Sequence, residues 1–599
     1  MNILSKISSL LTPRERLQGG MLLIALVMMG IMDVAGVASI MPFIAVLTTP
    51  ALVESNKWLY WAYSFFGLPN INAFIFYLGI IVLAVLVINN TVKACNVMYM
   101  TRFTNMCRHS MSRRMLACYL YKPYVFFLNR NTAELGKNVL SEVDQVIDGA
   151  IRPFMDIVGQ VAISIFIVTL LLAVDPLLTI SLSFVLGLAY MLIYAKIRKK
   201  IAIFGDLRTE SNKGRFQAAD DALSGIKEIK VLGQERSFLD RYSGHSERLA
   251  GYHTAYQVAS QIPMFAFEII AVGGIMIMVL HLVYIKHSLT QALPMIALYA
   301  FSIKRLMPAF HGIFSDYTTM KFHMSILNIL CRDMAETAEM KAGMDGTDPI
   351  SPLSFHRSLQ LQNIYFTYPE AEDVVIKGID LAIAARTRVA FVGATGSGKT
   401  TLVDIILGLL IPNEGSMKVD DNVIHNGNIR RWQRNMGYVP QFIYLSDDTV
   451  TRNIAFGVSG DTPDTIAVER AAKIANLHDF IVNELPQGYE TVIGERGIRL
   501  SGGQRQRIGI ARAMYHDPEV LILDEATSAL DGITEDVVME AINNLSRKKT
   551  LIIIAHRLTT VKDCDVIYVM ECGHIIAQGG YQELLQNSEI FRAMAKTND

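Results

Sequence analysis

The feature that most constrains this fold is a series of six long apolar segments in the first half of the chain. They cover residues 21–47, 71–92, 157–174, 177–195, 258–285 and 288–303. Asp33 is the only charged residue of the first segment, Glu268 is the only one of the fifth, and the other four carry none. Since a helix rises about 1.5 Å per residue, about 20 apolar residues cross a hydrocarbon layer of about 30 Å. The pattern therefore predicts a membrane α-helical bundle of six spans.

The overall composition supports this prediction and excludes several other classes of protein. Only 18% of the 599 residues are charged, whereas a soluble domain carries about 25%. The high apolar content and zero net charge argue against disorder and against nucleic acid as a partner. The six cysteines show no metal-ligand spacing, so we expect free thiols in a reducing compartment.

Lysine and arginine residues predict how the helices are oriented in the membrane. The segments 93–150 and 196–257 contain 8 and 12 basic residues, whereas the alternate loops contain at most one. Basic loops stay on the cytoplasmic side. We therefore expect a multi-pass protein of the cell (inner) membrane, with the amino terminus and everything after the sixth helix in the cytoplasm. The first apolar segment is too long for a cleavable signal peptide and is predicted to remain as an anchor.

The two long basic loops are rich in helix-forming residues and poor in proline. Structureless connections of this length are uncommon. We therefore expect membrane helices that continue into the cytoplasm and return, with contact points for a cytoplasmic domain near residues 127–133 and 223–235.

A phosphate-binding motif marks a second domain. Residues 389–392 form an apolar run typical of a buried strand, and the next eight residues match the pattern G-x-x-x-x-G-K-[ST]. In such a loop, backbone N–H groups and a helix N-terminus surround the phosphates of a nucleotide. We expect Lys399 to reach the β- and γ-phosphates and the Thr400 hydroxyl to bind Mg²⁺. The remaining candidate nucleotide-binding residues of this region are Gly393, Thr395, Gly396, Ser397, Gly398 and Thr401.

A second acidic motif lies about 120 residues further on. Four aliphatic residues, 520–523, precede Asp524 and Glu525. At the carboxyl end of a buried strand, Asp524 is suited to hold Mg²⁺ and Glu525 to polarise an attacking water. The alternative is an acidic helix cap after a core strand, which the pairing with the phosphate loop disfavours.

Between these two motifs, residues 500–504 read Leu-Ser-Gly-Gly-Gln. With this signature the chain resembles the ATP-binding cassette (ABC) transporters over residues 359–594, beyond what a flexible Gly-Gly loop would explain. The resemblance implies that Tyr368 stacks on adenine, that Gln441 contributes to the metal site and to catalysis, and that Glu525 and His556 are catalytic. It further assigns to nucleotide binding, in part across a dimer, the residues Ser501, Gly502, Gly503, Gln504 and Asp531. Residues 495–497 fit the segment that precedes the signature in this family.

The resemblance also implies an architecture. We expect a type I/IV ABC exporter-like fold, in which the helical bundle is followed by an α/β P-loop nucleotide-binding domain. The predicted domains are 1–330 (transmembrane, with long cytoplasmic extensions), 331–357 (linker) and 358–599 (ATP-binding cassette). The implied cofactors are ATP and Mg²⁺, and the implied activity is ATP hydrolysis coupled to transport. One cassette per chain implies a homodimer, and the fused layout implies no separate binding protein. Arg386 departs from the family, which has glycine in this turn.

Charged residues within or beside the predicted spans are candidates for substrate binding, because charges in a bilayer usually face a cavity or a partner. They are Asp33, Lys93, Glu268, Lys304 and Arg305. One interpretation is a set of structural ion pairs. The other is that Arg305 and Lys304 contact an anionic headgroup such as a pyrophosphate.

The external segment 58–66 holds two of the three tryptophans of the chain and suits a membrane interface. Together with Asp33, residues 41–44 and residues 304–308, it is similar to bacterial lipid-linked oligosaccharide flippases. The second helix departs from that family, because it offers Asn89, Asn90 and Lys93 where an arginine is expected. The resemblance implies a membrane lipid or lipid-linked substrate. Two alternatives stay open: an exporter of lipid A-like lipids, peptides or hydrophobic drugs, and an ATP-gated channel or regulatory membrane protein.

Overall fold

The structure of the protein is a computed structural model. It describes residues 3–597 apart from 68–69, 287–288, 342–350, 370, 459–462, 495–496, 526–547 and 556. The chain forms two compact units. The first comprises Met1–Lys122 and Arg130–Ala342, and the second comprises Pro123–Asn129 and Gly343–Asp599.

Among the described residues of the first unit, the regular secondary structure is entirely helical. Its helices, numbered together with α6 of the second unit, are α1 Ile3–Leu10, α2 Pro13–Thr48, α3 Leu52–Ser55, α4 Lys57–Phe65, α5 Ile71–Leu120, α6 Val125–Leu128, α7 Thr132–Lys137, α8 Val143–Val146, α9 Arg152–Val174, α10 Pro176–Ser224, α11 Ile226–Leu232, α12 Glu235–Lys286, α13 Leu289–Phe322 and α14 Met324–Lys341. Two π-helical turns, Asn138–Glu142 and Ile147–Ile151, flank α8. Each π turn inserts one residue into the helical repeat and so rotates the side chains that follow.

Sequence determines where these helices begin. At α2, the Thr12 hydroxyl accepts a hydrogen bond from the Glu15 N–H and the Glu15 carboxylate accepts one from the Thr12 N–H. This reciprocal capping box satisfies two backbone donors at the helix start. Helix α9 ends at Val174, and α10 begins with Pro176, since proline is favoured at the first position of a helix.

The described residues include four helical stretches that are long and apolar enough to cross a membrane: Pro13–Thr48, Ile71–Leu120, Thr132–Val174 and Glu235–Gly274. The predicted spans 177–195 and 288–303 lie in α10 and α13, apart from residue 288. Helices α5, α10 and α12 have 50, 49 and 52 residues. At about 1.5 Å per residue, each is about two and a half times as long as a bilayer core is thick, so each is much longer than a membrane span requires.

The second unit contains two sheets. Its strands are β1 Ser358–Phe366, β2 Ile376–Ala384, β3 Arg388–Gly393, β4 Glu414–Val419, β5 Asn422–Val423, β6 Met436–Val439, β7 Val520–Asp524, β8 Thr550–Ile554, β9 Val566–Glu571 and β10 His574–Gly579. One sheet has the order β2-β1-β4-β5 with antiparallel pairs. The other has the order β10-β9-β3-β8-β7-β6 and is parallel except for β10. The predicted strand 389–392 is therefore central in this sheet.

Helices pack around the parallel sheet. They are α15 Lys399–Ile406, α16 Ile429–Gln433, α17 Val450–Ile454, α18 Thr465–Ile474, α19 His478–Glu484 and α20 Gly502–Met514, followed by Tyr581–Asn587 and Glu589–Thr597. Strands β7 and β8 are buried at every position, as expected where helices cover both faces of a sheet. In such folds ligands bind at the carboxyl ends of the strands, which places the loops after β3 and β7 at one edge.

The two predicted contact segments fall in different units. Segment 127–133 overlaps Pro123–Asn129, which belongs to the second unit, where Val125 packs against the hydrophobic core that includes Phe391 and Leu402. Segment 223–235 belongs to the first unit.

Arg386, the departure from the family, occupies a left-handed backbone conformation with φ 61°. A side chain at such a position is strained, whereas glycine adopts it freely. The turn is kept by the hydrogen bond from the Arg386 N–H to the Thr550 hydroxyl (2.7 Å), which any residue but proline can make. We expect Arg386→Gly to raise the free energy of unfolding of the cassette by about 0.5–1 kcal/mol, measured by thermal unfolding of the full chain. Arg357→Gly, at a nearby exposed arginine, is the control, and an unchanged or lower stability of Arg386→Gly would contradict the expectation.

Candidate functional site

The phosphate-loop motif lies where β3 ends and α15 begins. Gly396 and Gly398 have φ values of 82° and 99°, a region that side chains disfavour. A Cβ atom on Gly398 would also lie 3.0 Å from Ile376 Cδ1. These glycines let the backbone curl tightly in front of the α15 N-terminus. The exposed residues Thr395, Gly396 and Thr400 leave this curl open to solvent, as an anion-binding loop requires.

Lys399 lies inside this loop and is 5% exposed. Its Nζ donates hydrogen bonds to the carbonyl oxygens of Gly393 (2.8 Å) and Ala394 (3.0 Å). Burial lowers the pKa of Lys399, while the nearby carboxylates of Glu525 and Asp524 act in the opposite direction. The loop therefore encloses a cation at the centre of the motif.

Two carboxylates follow at the end of β7. Asp524 is 6% exposed, and the Tyr438 hydroxyl donates a hydrogen bond of 3.4 Å to its Oδ2. Glu525 has a φ of 49°, unusual for a residue with a side chain. Its Oε2 accepts a hydrogen bond from Gln441 Nε2 at 2.9 Å. The structure thus brings Gln441 to Glu525, and strain of this kind is concentrated at functional sites.

A third acidic group, Asp404 of α15, lies near Asp524. Burial and the charge of Asp524 raise the pKa of Asp404 to about 6. Burial, followed by the charges of Asp524 and Asp404, raises the pKa of Tyr438. Sequence reasoning overlooked both Asp404 and Tyr438. A signal for Asp404 was available, because it lies one helical turn after Thr400 and so on the same face of α15.

Tyr368 lies beside the start of α15. Its hydroxyl is 2.9 Å from Thr401 Oγ1, and its ring meets Phe366 edge-on at a centroid distance of 5.0 Å. Two contacts thus fix a half-exposed aromatic ring next to the phosphate loop. An aromatic face in this place is suited to stacking on a planar base.

The signature residues have a clear local role. Ser501 caps α20: its hydroxyl accepts a hydrogen bond from the Gln504 N–H (3.2 Å), and the Gln504 side chain accepts one from the Ser501 N–H (2.8 Å). The motif is therefore also a capping box. It fixes an exposed helix N-terminus, with Gly502 and Gly503 as its first turn. Three predicted elements, Asp531, His556 and the pair at 495–496, lie outside the described residues.

In the first unit, a cavity of 510 Å³ lies among α2, α5 and α13. Most of its wall is apolar. Its charged and amide side chains are those of Asp33 on α2, Asn89 on α5, and Lys304 and Arg305 on α13. The lining residues are Asp33, Gly36, Val37, Ile40, Phe43, Ile44, Val82, Leu86, Asn89, Phe301, Lys304 and Arg305.

Asp33 is the centre of the polar end of this cavity and is 2% exposed. Its Oδ1 forms an ion pair with Lys93 Nζ, accepts a hydrogen bond from Asn89 Nδ2 (2.6 Å) and lies 3.6 Å from Arg305 Nη2. Three of the predicted substrate residues, Asp33, Lys93 and Arg305, are thus brought together. Lys304 lines the same cavity with an exposed side chain, whereas Glu268 lies exposed on α12 and is not a lining residue.

Comparison with known proteins decides the family. A family model described as "ABC transporter" matches residues 376–528, and one described as "ABC transporter transmembrane region" matches residues 20–305. The chain is 32% identical over 478 residues, 78% of each chain, to an ATP-dependent lipid A-core flippase of Alkalilimnicola ehrlichii. It is 30% identical over 487 residues, 80% of each chain, to the protein of the same name from Saccharophagus degradans. The chain belongs to the ABC transporter family.

The fold of this ABC transporter is similar to a solved structure titled "a bacterial Atm1-family ABC exporter with ATP bound". The TM-score is 0.78 at 23% identity, over 96% of this chain and 98% of the other. The prediction of a helical membrane domain followed by an ATP-binding cassette is confirmed. The protein is an ABC exporter half-transporter, and its cassette is an ATPase coupled to transport.

Asn89 completes the ion cluster of the exporter, although it was not among the candidate substrate residues taken from the sequence. It is 1% exposed, and its Oδ1 is buried without a hydrogen-bond partner among the described residues. A signal was available, since Asn89 precedes Lys93 by one helical turn and so lies on the same face of α5. Polar side chains in membrane helices usually face a cavity or a polar partner, as Asn89 does here.

Proposed function

We propose that the exporter works as a homodimer and moves a polyisoprenyl-pyrophosphate-linked oligosaccharide from the cytoplasmic to the outer leaflet of the inner membrane. The observation that carries this proposal is the cluster of basic residues at the polar end of an otherwise apolar cavity. A lipid-linked substrate presents the matching combination of an apolar tail and an anionic headgroup.

The charge of the cluster favours a headgroup with two negative charges. Three cations, Lys93, Lys304 and Arg305, stand against one carboxylate, Asp33, which leaves a net charge of two positive units. Uncompensated charges at membrane depth are costly, by about 2.5–3.5 kcal/mol each on insertion scales. A pyrophosphate diester supplies two negative charges, and its oxygens suit the planar donors of a guanidinium group. Glu268 lies outside this proposed headgroup site.

In the cassette, the residues present fit ATP and Mg²⁺. The glycine-rich curl and Lys399 are suited to hold the phosphates, and Tyr368 to stack on the base. Thr400, Asp524 and Gln441 offer oxygen ligands for Mg²⁺, which typically binds one or two carboxylates together with nucleotide phosphates and water. The metal would offset the negative charge that develops on the phosphates during transfer. Glu525 would orient the attacking water, and Gln441 would position Glu525. His556 would also take part in hydrolysis.

The exposed capping box supports the proposed homodimer. The α20 N-terminus, with its partial positive charge, is suited to meet the terminal phosphate held by the second copy of the chain. Two copies would then form two equivalent ATP sites, to which Asp531 would also contribute.

One alternative substrate shares this chemistry. The relatives named lipid A-core flippase point to a lipid A-type glycolipid, which also combines acyl chains with phosphates. Mass spectrometry of lipids that copurify with the Glu525→Gln dimer separates the two. A polyisoprenyl-pyrophosphate glycan supports the first proposal and lipid A the second. Recovery of neither, with ATPase stimulation only by peptides or amphipathic drugs, would contradict both.

The arginine of the cluster provides the direct test of the headgroup proposal. We expect Arg305→Ala to reduce transport of a polyisoprenyl-pyrophosphate glycan in proteoliposomes about tenfold or more, because a charge-assisted contact worth about 1.5–3 kcal/mol is lost. Arg305→Lys should recover part of the activity, since it restores the charge but not the planar donors. Arg241→Ala, at an exposed arginine paired with Asp221, is the matched control. Undiminished transport by Arg305→Ala at normal protein level would refute the contact.

A further inference from the structure

Asp33 is a negative charge in the place where an anionic headgroup is proposed to bind. A carboxylate there repels such a ligand, so its presence needs a physical reason. Its oxygen contacts Lys93, Asn89 and Arg305, and the residue is almost fully buried. These contacts account for its carboxylate without any contact to a substrate.

The first effect of Asp33 is to hold the cations in place. Lys93 comes from α5 and Arg305 from α13, and both meet the same Oδ1 of α2. Without this anchor, two like charges would lie close together in surroundings where screening is weak and their repulsion is strong. Long basic side chains would then turn away toward water or lipid headgroups.

The second effect of Asp33 is to lower the net charge of the cluster. With Asp33 ionised the cluster carries a net charge of two positive units, and without it the net charge is three. A dianionic headgroup brings the parent cluster to neutrality. A monoanion leaves one positive unit uncompensated, and a trianion leaves one negative unit. Each leftover charge is unfavourable at membrane depth.

We propose that Asp33 is a specificity-determining residue that sets the charge of the headgroup site to two positive units, so that the exporter selects lipids with two negative charges. This inference rests on the proposed function, since it specifies which anionic lipid the same cavity takes. Asp33 acts through Lys93 and Arg305, and it is a positioning residue that need not touch the substrate. Lipids with one charge, such as phosphatidylglycerol, are then discriminated against although they are anionic.

The unpartnered oxygen of Asn89 is a second, independent observation at this site. Asn89 donates to Asp33 through Nδ2, while its Oδ1 is buried without a partner among the described residues. A buried acceptor without a donor is unfavourable by about 1–3 kcal/mol. A cluster that satisfied its own polar groups would need no ligand. This one retains both an open acceptor and two units of excess charge.

The test compares two lipid probes that differ by one charge. Farnesyl monophosphate carries about two negative charges and farnesyl diphosphate about three when fully ionised. Phosphatidylglycerol, with one charge, is the third probe. Each is titrated into nanodiscs that contain the full-length dimer. The half-stimulating concentration and the maximal ATPase rate are measured separately.

We expect the parent to be stimulated by the monophosphate at concentrations at which phosphatidylglycerol is inactive. Asp33→Asn preserves the shape of the side chain but removes its charge. It should shift the ratio of the two half-stimulating concentrations about tenfold in favour of the diphosphate, because one partly screened charge has an effect of this size. Asp33→Asn combined with Lys93→Gln restores the net charge and should restore the parent preference. Lys93→Gln alone removes one positive charge and should shift the preference toward the monophosphate. This variant tests the inference even if Asp33→Asn does not assemble. Glu268→Gln, at an exposed carboxylate outside the cavity, should leave the preference unchanged.

The outcomes separate the inference from the proposed function. If the probes stimulate the parent but Asp33→Asn and Lys93→Gln leave the ratio of the two half-stimulating concentrations unchanged, Asp33 is only structural and the inference is wrong. If these variants lower only the maximal ATPase rate and leave that ratio unchanged, Asp33 is likewise only structural. If no anionic probe stimulates the parent or any variant, the anionic-lipid function is wrong, and the inference is overturned with it.

Discussion

Replacing Glu525 by Gln is expected to lower the rate of ATP hydrolysis by the exporter about 100- to 1000-fold. The carboxylate lies at the end of β7, beside the buried Asp524, and its Oε2 accepts a hydrogen bond from Gln441. An amide of the same size keeps the shape of the site but cannot accept a proton from water. Phosphate release from the reconstituted exporter gives the rate, and equilibrium binding of labelled ATP should be unchanged. Loss of hydrolysis with intact binding would identify Glu525 as the general base.

The control for this change is Glu571→Gln, at the exposed end of β9 in the same sheet. It removes one carboxylate from the cassette without touching the proposed site and should retain the parent rate. An unchanged rate in Glu525→Gln would mean that another group activates water. The assignment of Glu525 as the general base would then be wrong.

The cassette was predictable from the sequence because its chemistry resides in short continuous motifs. Gly393 to Thr400 and Val520 to Glu525 each contain a strand end and the residues that follow it, and the parallel sheet brings both ends to one edge. Asp404 and Tyr438 were overlooked because neither belongs to such a motif. Their proximity to Asp524 arises from packing between segments that are distant in the chain.

The intramembrane charges show where prediction from sequence ends. Asp33 and Glu268 look alike in the sequence, since each is a single carboxylate in a long apolar segment. When a helix is apolar on every side, its sequence does not determine which face turns inward. The structure places Asp33 against Lys93 and Arg305, whereas Glu268 is exposed. The ion-pair and headgroup interpretations also prove compatible, because the paired cations outnumber the carboxylate.

A second ion cluster, in the long helical extensions, depends on the π-helical turn Asn138–Glu142. Glu142 Oε1 lies 3.4 Å from Lys137 Nζ and accepts a hydrogen bond from Asn212 Nδ2 at 2.9 Å, while Oε2 lies 3.4 Å from Arg208 Nη1. The side chains of Lys137, Glu142 and Arg208 are at most 3% exposed. Glu142 therefore joins the turn to α10 through charges that water cannot reach.

We expect Glu142→Gln to lower the free energy of unfolding of the helical unit by about 3–5 kcal/mol, because it leaves two buried cations without a counter-ion. The matched control is Glu134→Gln: Glu134 pairs with Lys213 at 2.8 Å, but both side chains are partly exposed. Its loss should lower the same quantity by at most about 1 kcal/mol. Both changes in the free energy of unfolding are measured by SDS-unfolding titrations of the purified exporter in mixed micelles.

A triple variant, Lys137→Met, Glu142→Leu and Arg208→Met, distinguishes the reason for the loss. Burying charges requires their removal from water, so replacing a whole buried cluster with apolar residues is often neutral or stabilising. We expect the triple variant to recover most of the stability lost in Glu142→Gln. If the triple variant is as unstable as the single one, the cluster stabilises the unit through its specific hydrogen bonds, such as that from Asn212. If Glu142→Gln and Glu134→Gln are equally mild, water reaches Glu142, and the cluster contributes little to the stability of the helical unit.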